Sequence, residues 1–208
     1  DAPTFIEARL MLSPDEHAGN VQLSLGADFD ESWSWFSECN IMDYGDDGVW
    51  ASCFDTRWPW QEGYQYNSEG DSVDLGTWHK FRIEVDPASM TFTYYMDDQL
   101  IGSHVPADAD KLREAEFTVT TGVWGGSSGE ITGYIDDVRI GQITPTPTLT
   151  LYDDFDNPTY NGTIDPTRWE FDLPEVCDVV QQDGAMVFKN TPPQSDVDCE
   201  LGYPTPVS

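Results

Sequence analysis

The sequence predicts an all-β fold, an antiparallel sandwich. Three observations carry that expectation. Stretches in which apolar or aromatic side chains alternate with polar ones recur along the chain. Helix-period patterns are almost absent. Turn-forming clusters such as DDG, DPAS, DDQ and GGSSG separate the stretches. Alternation at period two gives each strand one core face and one outer face, while Gly, Asp, Pro and Ser supply the backbone conformations that reverse the chain.

FIEARLML (5–12) and NVQLSLGAD (20–28) open the chain as alternating strands. GVWASCFD (48–55), HKFRIEVD (79–86), MTFTYYMD (90–97), EFTVTTGVW (116–124) and GYIDDVRI (133–140) continue the pattern. Only DADKLREAE (108–116) has the composition of a short helix or charged loop. A linker, TPTPTLT (144–150), follows; alternating Pro and Thr favour polyproline II, so it spans roughly 20 Å as a stiff spacer. Beyond it, LYDDFD (151–156), TRWEFD (167–172), VVQQDGAMVFKN (179–190) and CELGYP (199–204) resume as short strands. The division is therefore a body over 1–141, a linker over 142–150 and a terminal segment over 151–208. That last segment is too short and too poor in aliphatics to bury a stable core of its own.

The 208 residues carry 9 Lys and Arg against 39 Asp and Glu, a formal net charge of −30. Nucleic acids and anionic membrane surfaces are bound by clusters of Lys and Arg, so neither is an expected partner. Acidity of this kind keeps a chain soluble in a harsh or salty medium, and some of the carboxylates suit a divalent cation. Aromatic residues make up 13% of the chain, so aromatic area can replace aliphatic area in the core, unlike in a disordered acidic tail. No stretch reads as a signal peptide and no apolar run is long enough to span a bilayer.

Four cysteines allow three pairings. The local pairs Cys39–Cys53 and Cys177–Cys199 are favoured, because each closes a short loop between expected strands. Neither pair has C-x-x-C spacing, which argues against zinc. An even count in an Asn-, Thr- and Gly-rich acidic chain points to an oxidising, extracellular or cell-surface location.

LGTWHKFRIEVDPASMTFTYYMDDQLIGS (75–103), followed by GEITGYIDDVRI (129–140), resembles the second half of a concanavalin A-like lectin/glucanase domain, a superfamily that includes laminin G-like modules, pentraxins and family-16 glycoside hydrolases. YDDFDNPTYNGTIDPTRWE and QQDGAMVF (152–170, 181–188) look like the opening of the same kind of domain. The resemblance implies a jelly-roll sandwich whose parts run in inverted order: 151–208 supplies the opening strands that 1–141 lacks. Those strands either fold back on their own body, pass to a neighbouring copy, or belong to a cut tandem array. A sandwich without them exposes unpaired backbone and an open core, which drives strand complementation. Transfer to a neighbour builds a head-to-tail filament.

The resemblance also implies sites. Family-16 hydrolases carry Glu-x-Asp-x-x-Glu; here EGDSVD (69–74) keeps Glu69 and Asp71 but has Asp74 in the last position, so no catalytic set is expected. A structural calcium in such sandwiches carries over to Asp136, Asp154 and Gly184. From the residues themselves, WSWF (33–36) and TRWPWQEGYQY (56–66) suggest sugar stacking, with Trp58, Trp60 and Tyr64 as candidates, although aromatic residues in such a chain also serve as core. NGT (161–163) makes Asn161 an N-glycosylation acceptor, and Thr144, Thr146 and Thr148 suit O-glycans. His17, His79 and His104 are too scattered for a catalytic or metal cluster. The expected function is a non-catalytic extracellular structural protein that polymerises by strand exchange between copies of itself, hardened by calcium and disulfides. The alternative is a secreted carbohydrate-binding or adhesion module of laminin G-like type, with glycans as partners.

Overall fold

The structure is a computed structural model and describes residues 4–14, 19–29, 34–58, 66–67, 71–125, 131–142, 151–170, 173–174, 176–190 and 197–202. Two antiparallel sheets pack face to face as a sandwich. The strands are β1 (Thr4–Leu12), β2 (Gly19–Asp28), β3 (Ser34–Asp43), β4 (Val49–Trp58), β5 (Tyr66–Asn67), β6 (Asp71–Ser72), β7 (His79–Asp86), β8 (Thr91–Met96), β9 (Gln99–His104), β10 (Thr118–Gly125), β11 (Ile131–Gln142), β12 (Leu151–Asp153), β13 (Cys177–Gln182), β14 (Ala185–Asn190) and β15 (Val197–Gly202). The stretch read as a short helix or charged loop over 108–116 holds one helical turn, α1 (Ala109–Leu112), whose Leu112 is buried.

The larger sheet has the order β13-β14-β11-β1-β7-β8-β9, with β12 also on β11; the smaller has β15-β10-β2-β3-β4-β5, with β6 also on β4. Alternation is visible in burial. In β7, Phe81, Ile83 and Val85 are buried while the residues between them are half-buried. Val21, Leu23 and Leu25 of β2 enter the same core as Ile6 and Leu10 of β1.

The terminal segment is part of both layers. β12 and β14 line up along one side of β11, whose other side pairs with β1. β13 and β14 form a hairpin around Asp183-Gly184, both with positive φ, as a two-residue turn between right-twisted strands requires. β15 then crosses to the other layer and pairs with β10. Phe155, Trp169, Met186, Phe188 and Leu201, each at most 1% exposed, enter the common core. Within this single chain the terminal segment lies back on its own body. Residues 143–150 of the linker lie outside the described residues.

Both favoured disulfides are formed. Cys39–Cys53 links directly opposed residues of β3 and β4. Cys177–Cys199 ties β13 in the larger sheet to β15 in the smaller one. The second bridge clasps the terminal segment across the two layers. Among the described residues, no helix is long and apolar enough to cross a membrane.

Candidate functional site

Two places gather polar chemistry. The first is where the terminal segment meets β11. One extra residue interrupts β11 opposite β1, between the pairs Glu7–Arg139 and Arg9–Asp136, and Asp137 there has φ 53°. Such a bulge re-aims the side chains beside it. Phe155, φ 52°, turns the chain sharply after β12. Gly184, φ 77°, sits in the β13–β14 turn, where a β-carbon would lie 2.8 Å from Asp156 Oδ1.

Asp136, Asp156 and Gly184 therefore belong to one joint. Burial pushes the Asp136 carboxyl up to about 6; the carboxylates of Asp137 and Asp156 push the same way, against the Asp137 backbone N–H and the Arg9 guanidinium. Asp136 Oδ1 accepts that N–H at 2.6 Å, and Arg9 lies 3.8 Å from Asp136 Oδ2. Carboxylates held together against their own repulsion favour a cation, and an all-oxygen donor set suits calcium. Among the described residues, no three acidic, His or Cys side chains form a cage by themselves. A calcium ion would take Asp136, Asp156 and the Gly184 carbonyl, and complete its shell with further carbonyls and water.

Asp154 is placed differently. Its Oδ1 accepts the Asp156 N–H at 3.3 Å, and its side chain lines a separate cavity of about 80 Å³ with Asp153, Asp165 and Arg168. Asp156, rather than Asp154, is the carboxylate set against Gly184. LYDDFD reads as one continuous strand over 151–156, whereas β12 ends at Asp153 and the left-handed Phe155 brings Asp156 round.

The second place is the outer face of the smaller sheet. Core-facing Val21, Cys39 and Val123 fix the phase of β2, β3 and β10, so the residues between them project outward. Strand register puts Glu200, Gly122, Gln22, Asn40 and Ser52 in one row across five strands. The row on one side holds Thr120, Ser24, Glu38 and Phe54; the row on the other holds Trp124, Asn20, Met42 and Trp50. Gln22 Nε2 donates to Glu200 Oε1 at 2.5 Å, across Gly122 of the intervening strand. Asn40 Nδ2 donates to Glu38 Oε1 at 2.7 Å, and Ser52 Oγ donates to Asn40 Oδ1 at 3.3 Å. Phe36 and Phe54 meet edge to face at 6.3 Å.

Asn20, Gln22, Ser24, Glu38 and Asn40 are only 1–6% exposed although they point away from the core. Polar groups are costly to shield unless they are hydrogen-bonded, and this row is cross-linked as that cost demands. Trp124 and Phe54 beside it are half-buried, and Trp50 is 41% exposed. Shielded amides and carboxylates bordered by aromatic rings form a preorganised polar floor with an apolar rim. Comparison with known proteins finds no family model that matches this chain and no curated protein that matches it. The architecture is compatible with the jelly-roll class, and no match places the chain in a particular superfamily.

The remaining sequence candidates fall as follows. Trp58 ends β4, while Trp60 and Tyr64 lie outside the described residues. Asn161 and Thr163 are exposed in the turn after the one-turn helix Pro158–Tyr160, a position open to modification. Asp71 lies on the short edge strand β6 and Asp74 just beyond it, both exposed; Glu69 lies outside the described residues. His79 pairs with Asp97 at 2.8 Å and His104 with Asp55 at 2.9 Å, in separate places.

Proposed function

We propose that the protein is a non-catalytic extracellular module that binds carbohydrate through the outer face of its smaller sheet. The observation that supports this is the floor of shielded Asn20, Gln22, Ser24, Glu38 and Asn40, bordered by Trp124, Phe54 and Trp50. Amide, hydroxyl and carboxylate groups exchange hydrogen bonds with sugar hydroxyls, and aromatic faces cover the apolar face of a sugar ring. The two disulfides support an oxidising location. Asp136, Asp156 and the Gly184 carbonyl would hold a structural calcium that fastens the terminal segment to β11.

A panel of immobilised glycans tests the reading. Wild-type protein is expected to be retained on at least one glycan, and Trp124→Ala and Gln22→Ala are each expected to weaken retention while the melting transition survives. Retention unchanged in both variants, or none on any glycan, would refute it.

A second reading is favoured by a different observation. Residues 151–202 supply edge strands to both sheets, reached through a Pro-Thr linker. Such a segment can also close the body of a neighbouring copy, making a strand-exchanged filament or sheath. The two readings are compatible, since exchange leaves the outer face of the smaller sheet unchanged.

A further inference from the structure

The charge on the outer face of the smaller sheet narrows its ligand. The chain has only nine Lys and Arg residues, and all of them fall within the described residues. Of these, only Arg57 sits on a strand of the smaller sheet. It shares the phase of core-facing Cys53 and Asp55, and it pairs with Asp108 at 3.6 Å. Arg9, Lys80, Arg82 and Arg139 lie on β1, β7 and β11 of the other sheet, among Glu7, Glu84, Asp97, Asp98, Asp136 and Asp137.

Among the described residues, no Lys or Arg side chain therefore projects from the polar face of these strands, whereas Glu38 and Glu200 both do. Each carboxylate is anchored by a neighbouring amide, Glu38 by Asn40 and Glu200 by Gln22, so neither swings away into solvent. They stand on β3 and β15, with β10 and β2 between them, which at about 4.8 Å per strand is roughly 14 Å across the sheet. A uronate or sulfated chain laid here would meet two fixed anions and no counter-charge. A chain with amino groups would meet two charge-assisted acceptors, Glu200 in one row and Glu38 in the row beside it, while its ring faces rest on Trp124 and Phe54.

We infer that this face takes a polysaccharide bearing free amino groups, held between Glu200 and Glu38. The inference rests on the carbohydrate reading above and specifies its ligand class. Gly122 takes part by leaving the row open between Glu200 and Gln22. A β-carbon there would fall 2.1 Å from the Cys199 carbonyl oxygen, and any side chain would stand between Gln22 and Glu200.

Calorimetric titration of the full chain with three oligosaccharides of equal length tests it: a fully deacetylated glucosamine oligomer, its N-acetylated form and an oligouronate. The deacetylated oligomer is expected to bind about tenfold more tightly than the acetylated one, with the oligouronate weakest, because charged hydrogen bonds are roughly twice as strong as neutral ones. Glu200→Gln and Glu38→Gln are each expected to weaken the deacetylated oligomer far more than the acetylated one, erasing most of that preference. Asp178→Asn, an exposed carboxylate on β13 of the other sheet, removes the same charge and is expected to leave the preference intact. If Asp178→Asn lowers affinity as much as Glu200→Gln, the attraction is that of a polyanion for any polycation and the inference fails. Equal binding of acetylated and deacetylated oligomers also overturns it, yet leaves the carbohydrate reading standing. Binding of none of the three sinks the inference, and an empty wider glycan panel removes the reading beneath it.

Discussion

The carboxylate of Asp156 fills the space that a side chain on Gly184 would need, with a β-carbon there falling 2.8 Å from Asp156 Oδ1. The two residues come from different strand-to-turn junctions of the terminal segment, and both junctions rely on left-handed backbone, Phe155 at φ 52° and Gly184 at φ 77°. Gly184→Ala adds a steric clash to a strained φ. It is expected to cost about 1–3 kcal/mol, the range for substitutions at special backbone conformations. Urea titration of both proteins measures it, and an unchanged midpoint would show that the turn and Asp156 are not in contact.

Asp136 gives a pH signature with a definite sign. Its folded value, about 6, lies above the ordinary 3.8, so the native state holds this proton more tightly than the unfolded chain does. The stabilising contribution is present below 3.8 and is lost as the pH rises through about 6. The carboxyl is partly exposed, so solvent screening reduces the effect. In EDTA, the melting temperature of Asp136→Asn is expected to gain on wild type between about pH 4.5 and pH 7. A bound cation favours the carboxylate, so millimolar calcium is expected to reverse that ordering at neutral pH. Parallel melting curves for the two proteins at every pH, with and without calcium, would remove Asp136 from any cation site.

The period-two pattern made most of the fold legible, because alternation and burial are the same fact seen from sequence and from structure. HKFRIEVD coincides with β7. β3 escaped notice because SECNIMD mixes polar and apolar residues without a clean outer face. Its Glu38 and Asn40 are polar yet shielded, so hydropathy does not separate the two faces. The phase was nonetheless present in Trp35, Cys39 and Ile41, spaced by even numbers. The polar floor went unread for the same reason, since it exists only once β15, from the far end of the chain, lies beside β10. Among the described residues of TRWEFD, read as a strand, Glu170 makes an isolated bridge to Gly202, and Trp169 serves the core, donating to Asp153 Oδ2 at 2.8 Å.

The two disulfides are expected to differ in consequence. Cys39–Cys53 joins neighbours that the β3–β4 ladder already holds together. Cys177–Cys199 joins strands in different sheets, and both of its cysteines belong to the terminal segment. A closed loop of this length constrains the unfolded chain by about 3 kcal/mol. Cys177→Ser with Cys199→Ser is expected to loosen β13 and β15 selectively, read as faster amide exchange there than in β7 and β8. Uniform acceleration across both sheets would mean that the clasp does not act locally.

The terminal segment is expected to decide whether the body folds at all. Removing residues 151–208 takes Phe155, Trp169, Met186, Phe188 and Leu201 out of the core. At about 1.5–3 kcal/mol per buried large apolar side chain, that loss matches the whole stability of an ordinary domain. A chain ending at residue 142 is therefore expected to be unfolded, and to regain a cooperative transition when a peptide spanning 151–208 is added. Exchange between copies requires more, and two deliberately broken chains expose it. Phe188→Asp spoils the terminal segment, and Ile135→Asp spoils the body at a fully buried position of β11. Neither chain is expected to fold alone. Unfolded together and refolded, they can build one intact sandwich from the sound body of the first and the sound segment of the second. A heterodimer with a single cooperative melt is expected if the segment passes between copies. A mixture that stays unfolded, while the peptide still rescues the shortened body, would restrict the segment to its own chain and exclude the filament.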